Sequence, residues 1–458
     1  MTELQAVSPV DGRYAAVTRP LSRYFSEEAL IRHRLEVEAL YLDLLCGLPG
    51  TGIPRLPAKG KNLLEALKNA SPADAARVKA IERETRHDVK ACERFIRERL
   101  TRAGLAKYRE YVHFALTSED VNSFAYALML ARGLEKVLLP ALDDIIAELR
   151  RLARRHAADP LLARTHGQPA VGTTFGKEFA VFAARLERQR AQLAGLQLQA
   201  KLSGAVGNYN AHLAAFPRAD WPAFARRFAA AASRGLKIKI EAAPLTTQIE
   251  PHDAVAELFD ALRRTNTILT GMCQDIWRYI SDGLIVQRAV AGEVGSSTMP
   301  QKVNPIHFEN AEGNLGAANA LCGFFSAKLP VSRLQRDLSD STVERNYGAA
   351  FAHSLIAYKS MMEGFSRIAV NRDAAARSLA DHPEVYAEAV QTLLRREGVE
   401  DPYSLLKDLT RGRGVTVPEL HAFVDGLPVK PAVKAELKAL LSRPYTGLAA
   451  RLAGTSRK

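Results

Sequence analysis

The sequence lacks the features that mark membrane-spanning, secreted and disulfide-stapled proteins. No uninterrupted apolar stretch approaches the ~18 residues that a membrane-spanning helix needs. Residues 1–14 have no basic start followed by an apolar run, so we expect no signal peptide. The chain of 458 residues has only four cysteines, scattered and without Cys-x-x-Cys spacing: Cys46, Cys92, Cys273 and Cys322. Their scarcity predicts neither a disulfide framework nor a zinc site, and it favours a reducing cytoplasm.

Two common functional motifs are also missing. The segment Gly172–Lys177 is one residue short of a phosphate-binding loop and lacks the Ser or Thr that should follow. His-Glu-x-x-His does not occur, and no cluster of carboxylates and histidines has metal-ligand spacing. There is no internal repeat and no low-complexity tract. The sequence therefore predicts neither a nucleoside-triphosphate loop nor a metal site.

Basic residues outnumber acidic ones, 63 to 50, which gives a formal net charge of +13. Such a surplus has three explanations: a basic solvated surface, a site for polyanionic small molecules, or nucleic-acid binding. No zinc-finger spacing or RNA-binding aromatic motif interrupts the basic residues. The charge alone therefore favours the surface and small-molecule explanations.

Helical periodicity dominates the middle of the chain. Apolar residues recur at steps of three and four over 142–153, from 175 onward and over 255–280. The last stretch has no internal proline and predicts a helix of about 40 Å. Several such helices predict a bundle. Their long apolar stripes favour an oligomer, because one subunit cannot easily cover them.

Composition suggests where the domains divide. Residues 49–57 have the prolines and glycines of a loop, and 208–248 is expected to be irregular except for a short strand around 236–240. Helical segments shorten after about Val370, where Pro and Gly recur. We expect an N-terminal helical domain at 1–112, a central long-helix domain at 113–365 and a small helical domain at 366–458.

One long loop breaks the helical pattern at 291–305. Gly292 and Gly295 precede Ser296 and Ser297, and Lys302 and Asn304 follow closely. A loop of this length in a helical protein is usually functional. This one can present backbone amides, a hydroxyl, a cation and an amide side chain to one anion. Asn304 and Pro305 then have the chemistry of a helix start.

Three further clusters carry polar residues, and each also has a purely structural interpretation. Arg164–Ala170, around His166, could be a turn, and Thr117–Asp120, with Asn122 beyond, could be a helix cap. Arg86–Lys90 could be a charged helix face. Thr117 and Asp120 suit a capping box, and a helix N-terminus is also a natural anion site.

The loop sequence Ser296–Pro305, followed by Glu309, resembles the signature of the fumarase/aspartase superfamily. The region around His166 resembles the Thr-His-x-Gln-x-Ala segment of that superfamily, and Thr117–Asp120 resembles its Thr-Ser-x-Asp segment. Other segments are similar to the adenylosuccinate lyase branch: Gly12–Tyr14, Arg86–Lys90, Gly204–His212, Thr247–Asp253 and Arg333–Thr342. The resemblance runs from Ser8 to the C-terminal region. Some members have Asn where this chain has Arg86.

The resemblance implies an all-α, three-domain fold whose central bundle is completed by a homotetramer with composite active sites. It implies a cytoplasmic lyase that releases fumarate from succinyl-purine nucleotides without a cofactor, a metal, nucleic acid or a membrane.

It also implies residue roles. Ser296 is the expected general base, His166 the general acid and Glu309 the residue that orients the histidine. The substrate-binding residues implied are Arg13, Tyr14, Arg86, His87, Asp88, Thr117, Ser118, Gln248, Lys302, Asn304, Asn310, Arg336, Ser341 and Arg345. A serine base is unusual, because a free hydroxyl keeps its proton far above pH 7, so this role rests on the resemblance alone.

Three alternatives remain open at this point. Another lyase of the superfamily, such as an argininosuccinate lyase, shares the loop and the histidine segment, but Gly12–Tyr14 and Arg86–Lys90 argue against it. An inactive structural relative, like some lens crystallins, is disfavoured because Ser296, His166 and Lys302 are intact. A nucleic-acid-binding protein would show steeply salt-dependent retention on DNA.

Overall fold

The computed structural model describes residues 2–288, 299, 302–410 and 414–454, with nothing on the side chains of 408–410. The chain divides into two compact units. The first unit contains 1–143, 188–270 and 310–359, and the second contains 144–187, 271–309 and 360–458. Each unit combines three separate stretches of the chain, whereas the domains expected from composition are consecutive. The boundaries of those three domains therefore stay a prediction.

Helices account for most of the described chain, as the all-α prediction requires. Their bounds, in chain order, are α1 Ala15–Phe25, α2 Glu27–Leu45, α3 Ala58–Lys68, α4 Pro72–Thr85, α5 Asp88–Arg102, α6 Ser118–Gly133, α7 Leu139–Arg155, α8 Phe175–Ala194, α9 Asn210–Ala215, α10 Trp221–Ala232, α11 Asp253–Ser281, α12 Ile306–Lys328, α13 Ser339–Glu344, α14 Tyr347–Arg367, α15 Arg372–Ala380, α16 Ala387–Arg396, α17 Pro402–Thr410, α18 Val417–Gly426, α19 Pro431–Leu441 and α20 Ala449–Ala453. Short 3₁₀ turns lie at Glu3–Gln5, Ala106–Tyr111 and Pro383–Tyr386.

The three periodic stretches each form a long helix, α7, α8 and α11. Helix α11 has 29 residues, which at 1.5 Å per residue is about 43 Å. Helix α12 begins at Ile306, one residue after the expected start, because the Pro305 carbonyl accepts from the Phe308 and Glu309 amides and Pro305 therefore precedes the first turn. None of the helices in the described part of the chain is both long and apolar enough to cross a membrane.

The expectation of irregular structure at 208–248 is wrong for part of that segment, because α10 lies inside it. Asp220 caps this helix by accepting the Ala223 amide at 2.9 Å. Trp221, Phe224 and Phe228 recur on one buried face. The alanine-rich sequence hides this period, since alanine fits either face of a helix. The expected strand near 236–240 is observed, shifted to Lys239–Ala242.

Strands occur only in short pairs within the described residues. The six strands are β1 Pro160–Thr165, β2 Gln168–Thr174, β3 Gln197–Ala200, β4 Lys239–Ala242, β5 Ile285–Gln287 and β6 Ile368–Val370. The pairs β1–β2 and β5–β6 are antiparallel, and β3–β4 is parallel. The β1–β2 hairpin carries the histidine motif, Arg164–Ala170.

The first unit is packed around aromatic rings. Phe259 on α11 contacts Phe325 on α12 and Tyr347 on α14, with ring centroids 4.8 and 5.2 Å apart. Phe25 and Phe351 pack at 4.8 Å. Such tilted and edge-on pairs add to the large area that aromatic side chains bury. They hold together the helices that carry several of the motifs.

The second unit contains several groups of packed apolar side chains. Phe308 packs on Phe365 with ring centroids 5.7 Å apart. The short C-terminal helices bury their own cluster, whose fully buried members are Val390, Leu394, Leu420, Val424 and Leu437.

Gly176, next to the start of α8, is required for close packing. A Cβ at this position would lie 2.5 Å from the Ala157 Cα and would also overlap the Ala153 carbonyl oxygen. Both are backbone atoms, which cannot move aside as a flexible side chain can. The glycines of Gly172–Lys177 therefore have a packing role, since Gly172 is equally crowded by the Tyr445 backbone.

We predict that Gly176→Ala lowers the free energy of unfolding by about 1–3 kcal/mol, because the added methyl forces the backbone apart. Gly426→Ala is the matched control, since its Cβ would meet nothing within 4 Å. It should be neutral or stabilising by up to about 1 kcal/mol. Urea unfolding of the two variants measures the difference, and equal midpoints would contradict the packing role.

Candidate active site

The polar motifs coincide with unusual backbone. The described residues include eight non-glycine positions with positive φ. Five of them lie inside the motifs quoted above: Arg86, His166, Tyr209, His252 and Leu334. Two more, His113 and Ala115, come just before Thr117. A left-handed residue with a side chain costs of order 1–3 kcal/mol and concentrates at functional sites. The backbone thus supports a functional interpretation of these segments.

His166 lies at the tip of the β1–β2 hairpin. Thr165 pairs with Gln168, so the loop has two residues, His166 and Gly167, with φ of 53° and 76°. Positive φ at both positions is the type I′ turn, whose twist matches that of the strands it joins. Glycine meets this requirement without strain at the second position. The His166 side chain is exposed in the single chain, so nothing within the described residues encloses it.

The superfamily loop is only partly described. Ser296 and Gly295 lie outside the described residues, so the predicted general base has no structural test. Lys302 is exposed and Asn304 is half-buried. Gln287 donates to the Val303 carbonyl at 2.9 Å, which ties this end of the loop to β5.

Glu309 lies in the first turn of α12. Its carboxylate accepts a hydrogen bond from the Trp277 indole at 3.0 Å. This contact holds Glu309 in place but does not involve His166. The predicted role of Glu309 in orienting the histidine therefore stays a prediction.

Thr117 and Ser118 mark the start of α6, as expected from the capping-box pattern. Asp120 Oδ2 accepts the Thr117 amide at 2.8 Å. Ser118 is the first helical residue, and both it and Thr117 are half-buried. The helix N-terminus, with its unpaired amides, is thus present at the motif.

Asp120 also holds a second motif, which sequence reasoning missed. Its Oδ1 accepts from the Lys201 ammonium at 2.7 Å and from the Ser203 and Gly204 amides at 2.7 and 3.1 Å. Asp120 and Lys201 are both completely buried. One carboxylate therefore orients the start of α6 and the beginning of Gly204–His212 together. The only sign of this contact in the sequence was Lys201, three residues before Gly204.

Arg86, His87 and Asp88 form a junction between two helices, and the charged-face interpretation of this cluster is wrong. Arg86 ends α4 with φ of 54°. His87 caps α5, since its Nδ1 accepts the Lys90 amide at 3.2 Å. The side chains of Arg86 and His87 are exposed. Because the chain turns between α4 and α5, the three side chains do not share one face of a helix.

The Asp88 carboxylate binds two arginines, Arg34 and Arg345, each at 2.8 Å. Partial burial by itself raises the pKa of Asp88, but the two guanidinium charges and the Val89 amide outweigh it and lower the pKa. The two arginines thus favour the ionised form of Asp88, which binds them both. Arg345 also contacts Glu27 at 3.1 Å.

Tyr14 and Asn310 meet although 296 residues separate them, with the Asn310 amide donating to the Tyr14 hydroxyl at 2.7 Å. The Arg13 guanidinium lies 5.9 Å from the centre of the Tyr14 ring. The first unit therefore brings three of the predicted substrate-binding residues together.

Arg336 is held by two carboxylates. Its Nη2 lies 2.8 Å from Glu119 Oε1, and its Nε donates to Asp340 Oδ2 at 3.2 Å. The Ser341 amide donates to Asp340 Oδ1 at 2.6 Å. The Gln248 amide donates to the Gln335 carbonyl at 3.3 Å, next to Arg336 in the chain. These contacts place Gln248, Arg336 and Ser341 in one neighbourhood.

Two buried titratable residues in Thr247–Asp253 also escaped prediction. Burial raises the pKa of Glu250 to about 7, and it lowers the pKa of His252 to about 4. The His252 amide donates to Glu250 Oε2 at 2.9 Å. A sequence pattern gives no signal for such shifts, because they depend on burial.

No metal site is evident in the part of the chain described, since no group of three or more His, Cys, Asp or Glu residues there has suitable geometry.

Comparison with known proteins extends across the whole chain. A family model described as Lyase matches residues 17–320, and one described as Adenylosuccinate lyase C-terminal matches 332–446. The chain is 47% identical to the adenylosuccinate lyase of Vibrio cholerae over 455 residues, covering 99% of each protein. It is 46% identical to that of Escherichia coli and 45% identical to that of Dictyostelium discoideum, with 98% of this chain covered in both and 98% and 97% of the relatives.

Solved structures with lower identity share the fold. A fumarate lyase from Mesorhizobium sp. BNC1 matches with a TM-score of 0.72 at 20% identity, covering 95% of this chain and 96% of that one. A 3-carboxy-cis,cis-muconate lactonizing enzyme from Pseudomonas putida matches with a TM-score of 0.70 at 21% identity, covering 95% of each. Both confirm the predicted fumarase/aspartase-like fold.

We predict that Asp120 and Lys201 are strongly coupled in stability. Asp120→Asn leaves a buried ammonium without its counter-charge and should cost about 3–5 kcal/mol. The double variant Asp120→Asn/Lys201→Met should lose clearly less than the sum of its single variants, because neither charge is left alone. Urea unfolding of all four proteins measures the coupling. Strict additivity would show that the pair contributes nothing as a pair.

Proposed function

Because the chain belongs to the adenylosuccinate lyase family, we propose that it eliminates fumarate from adenylosuccinate to give AMP. We propose the same reaction on the succinyl-aminoimidazole-carboxamide ribotide of purine biosynthesis. The full-length identity of 47% carries this proposal. The clustering of Tyr14 with Asn310 and of Asp88 with Arg345 supports it.

The elimination has two difficult halves. A proton must leave the carbon next to a carboxylate, which is tolerable only if the extra charge on the carboxylate oxygens is stabilised. Lys302, Asn304 and the amides around Gly295 are the proposed donors to those oxygens, and such preorganised donors are usually the largest catalytic contribution. Ser296 is the proposed base.

The departing nitrogen must be protonated, because an amine anion is a poor leaving group. A histidine titrates near neutral pH and suits this role, so His166 is the proposed general acid. The hairpin that carries it supports the assignment, because a two-residue turn between paired strands fixes the backbone from which the ring projects. Glu309 remains the proposed orienting residue.

The substrate phosphate carries about −1.5 to −2 charges at neutral pH and needs cationic partners. Arg13, Tyr14, Arg336, Ser341 and Arg345 are the proposed phosphate-binding residues. Two sets of residues complete the site. Thr117, Ser118, Gln248 and Asn310 are proposed for the succinyl and base portions, and Arg86, His87 and Asp88 line the same substrate site.

We propose a homotetramer in which each active site combines residues of several chains, with Thr117, His166 and Ser296 meeting from three subunits. Two observations support it. His166 is exposed in the single chain, and the long helices expose large apolar side chains, with Trp277 43%, Ile306 55% and Phe324 52% exposed. Monomeric proteins seldom expose so many large apolar side chains on long helices. The four free cysteines suit the proposed cytoplasmic location.

The decisive experiment is fumarate release followed by ultraviolet absorbance, with adenylosuccinate and argininosuccinate as parallel substrates. We expect turnover of the first and none of the second. Turnover of argininosuccinate alone would assign the chain to another lyase activity, and absence of both would favour an inactive structural relative.

We predict that His166→Ala and Ser296→Ala each lower kcat by about 10²–10⁴-fold, the usual contribution of a general acid or base. Circular dichroism and the tetramer mass should stay unchanged, because neither substitution removes a packing contact that the proposal requires. A loss below tenfold for either variant would remove that residue from its proposed role.

Mixing the two inactive variants tests the composite site. If acid and base come from different chains, dissociation and reassembly of an equal mixture should restore about a quarter of wild-type activity, because random assembly leaves about a quarter of the sites with both residues intact. Each variant reassembled with itself is the control. Inactive tetramers whose mixed composition is shown by mass spectrometry would place both residues on one chain.

A further inference from the structure

A continuous series of polar contacts joins Arg345 to Arg336 inside the first unit. Arg345 and Arg34 share one oxygen of Asp88, each through Nη2 at 2.8 Å. Arg34 Nε then donates to Asn122 Oδ1 at 2.9 Å. Buried Arg34 thus connects Asp88 to Asn122.

The series continues from Asn122 to the second arginine. The Asn122 amide donates to Glu119 Oε1 at 2.8 Å, and the same oxygen lies 2.8 Å from Arg336 Nη2. We call Arg34, Asn122 and Glu119 the buried relay. Their residue exposures are 2%, 7% and 2%, so solvent does not compete for these bonds.

We infer that the residues of the buried relay are positioning residues, which set the separation and orientation of Arg336 and Arg345 for one substrate phosphate. This inference rests on the proposed function, because it takes the phosphate-binding role of the two arginines from there. None of the three relay residues is given substrate contact by that proposal. They act through Asp88 and through the guanidinium groups.

The physical reason is the flexibility of arginine. A free arginine side chain has many rotamers, and a ligand that must order two of them loses affinity. Contacts that already order the two arginine side chains before the ligand binds remove that loss of affinity. Arg345 is bound by Asp88 and Glu27, and Arg336 by Glu119 and Asp340. Within the described contacts, Arg336 Nη1 makes no hydrogen bond, so its two N–H groups remain for an anion.

The buried relay is poorly arranged for stability alone. Arg34 Nη1 is buried without a hydrogen-bond partner. Glu344 brings a further carboxylate close to Glu119, with its Oε2 unpartnered. Native structures satisfy nearly all buried polar groups, and exceptions call for an explanation. Holding two cations at the separation that a ligand requires provides such an explanation, because this arrangement serves binding and not stability.

The test compares adenylosuccinate with its dephosphorylated nucleoside, succinyladenosine, in the full-length protein. A structural defect lowers kcat/KM for both substrates alike. A defect in phosphate positioning lowers it only for the nucleotide and mainly through KM, because the phosphate is remote from the bond that breaks.

The principal variant is Asn122→Leu, which keeps the branched shape of the side chain and removes both hydrogen bonds at the centre of the relay. Glu119→Gln is the second variant. It keeps the shape of the side chain and an oxygen that can accept from Asn122, so we expect this variant to fold. Arg132→Met is the matched control. Arg132 belongs to the same unit and binds Glu36 through two hydrogen bonds of 2.6 and 2.7 Å, outside the relay.

We expect the wild-type ratio of kcat/KM for nucleotide over nucleoside to fall at least about tenfold in Asn122→Leu, the size of one lost hydrogen bond to a charged group. Glu119→Gln should lower it in the same direction by less. Arg132→Met should keep the ratio. These three results together would support the buried relay.

Other outcomes overturn the inference in distinguishable ways. Equal losses on both substrates in the relay variants would give the relay a structural role only. A wild-type protein that does not prefer the nucleotide would overturn the phosphate assignment and the relay, but leave the lyase activity standing. A wild-type protein that releases no fumarate from adenylosuccinate would overturn the proposed function, and the relay with it.

Discussion

An α-helix satisfies its own backbone everywhere except at its two ends. This constraint decides where the polar chemistry of the chain lies. Thr117 precedes α6, His87 caps α5 and Asn310 lies in the second turn of α12. The histidine motif lies instead at the tight turn of a hairpin between two short strands. Several of the polar motifs of this chain therefore lie at such ends and turns.

The ends and turns then need buried charges to hold them. Asp120 is the clearest case, because one carboxylate binds a helix start, a lysine and two loop amides. Removing a buried charge from its partner costs more than the pair contributes by itself, so such an arrangement tolerates little change. Asp88 serves its two arginines in the same way. The positive φ angles near these contacts are strain that the surrounding bonds maintain.

The sequence anticipated much of this architecture and of the candidate site. The periodic stretches predicted α7, α8 and α11, and the Thr117–Asp120 pattern predicted a helix start. The prediction from sequence failed for α10, because a run of alanines shows no hydrophobic periodicity. It also failed for Arg86–Asp88, where the chain turns between two helices although the residues suggest one charged face. No pattern indicated Arg34, because a lone arginine within a helix is ordinarily solvated.

What the sequence by itself determined is local: the long helices, the helix start at Thr117, and the residue types that each motif supplies. Such features follow from interactions within a few residues, which a pattern records directly. Only the tertiary structure decided which motifs meet. Tyr14 reaches Asn310 across 296 residues, and Arg345 reaches Asp88 across 257. These pairings depend on how whole helices pack, and burial, which packing creates, then decides which charges need partners.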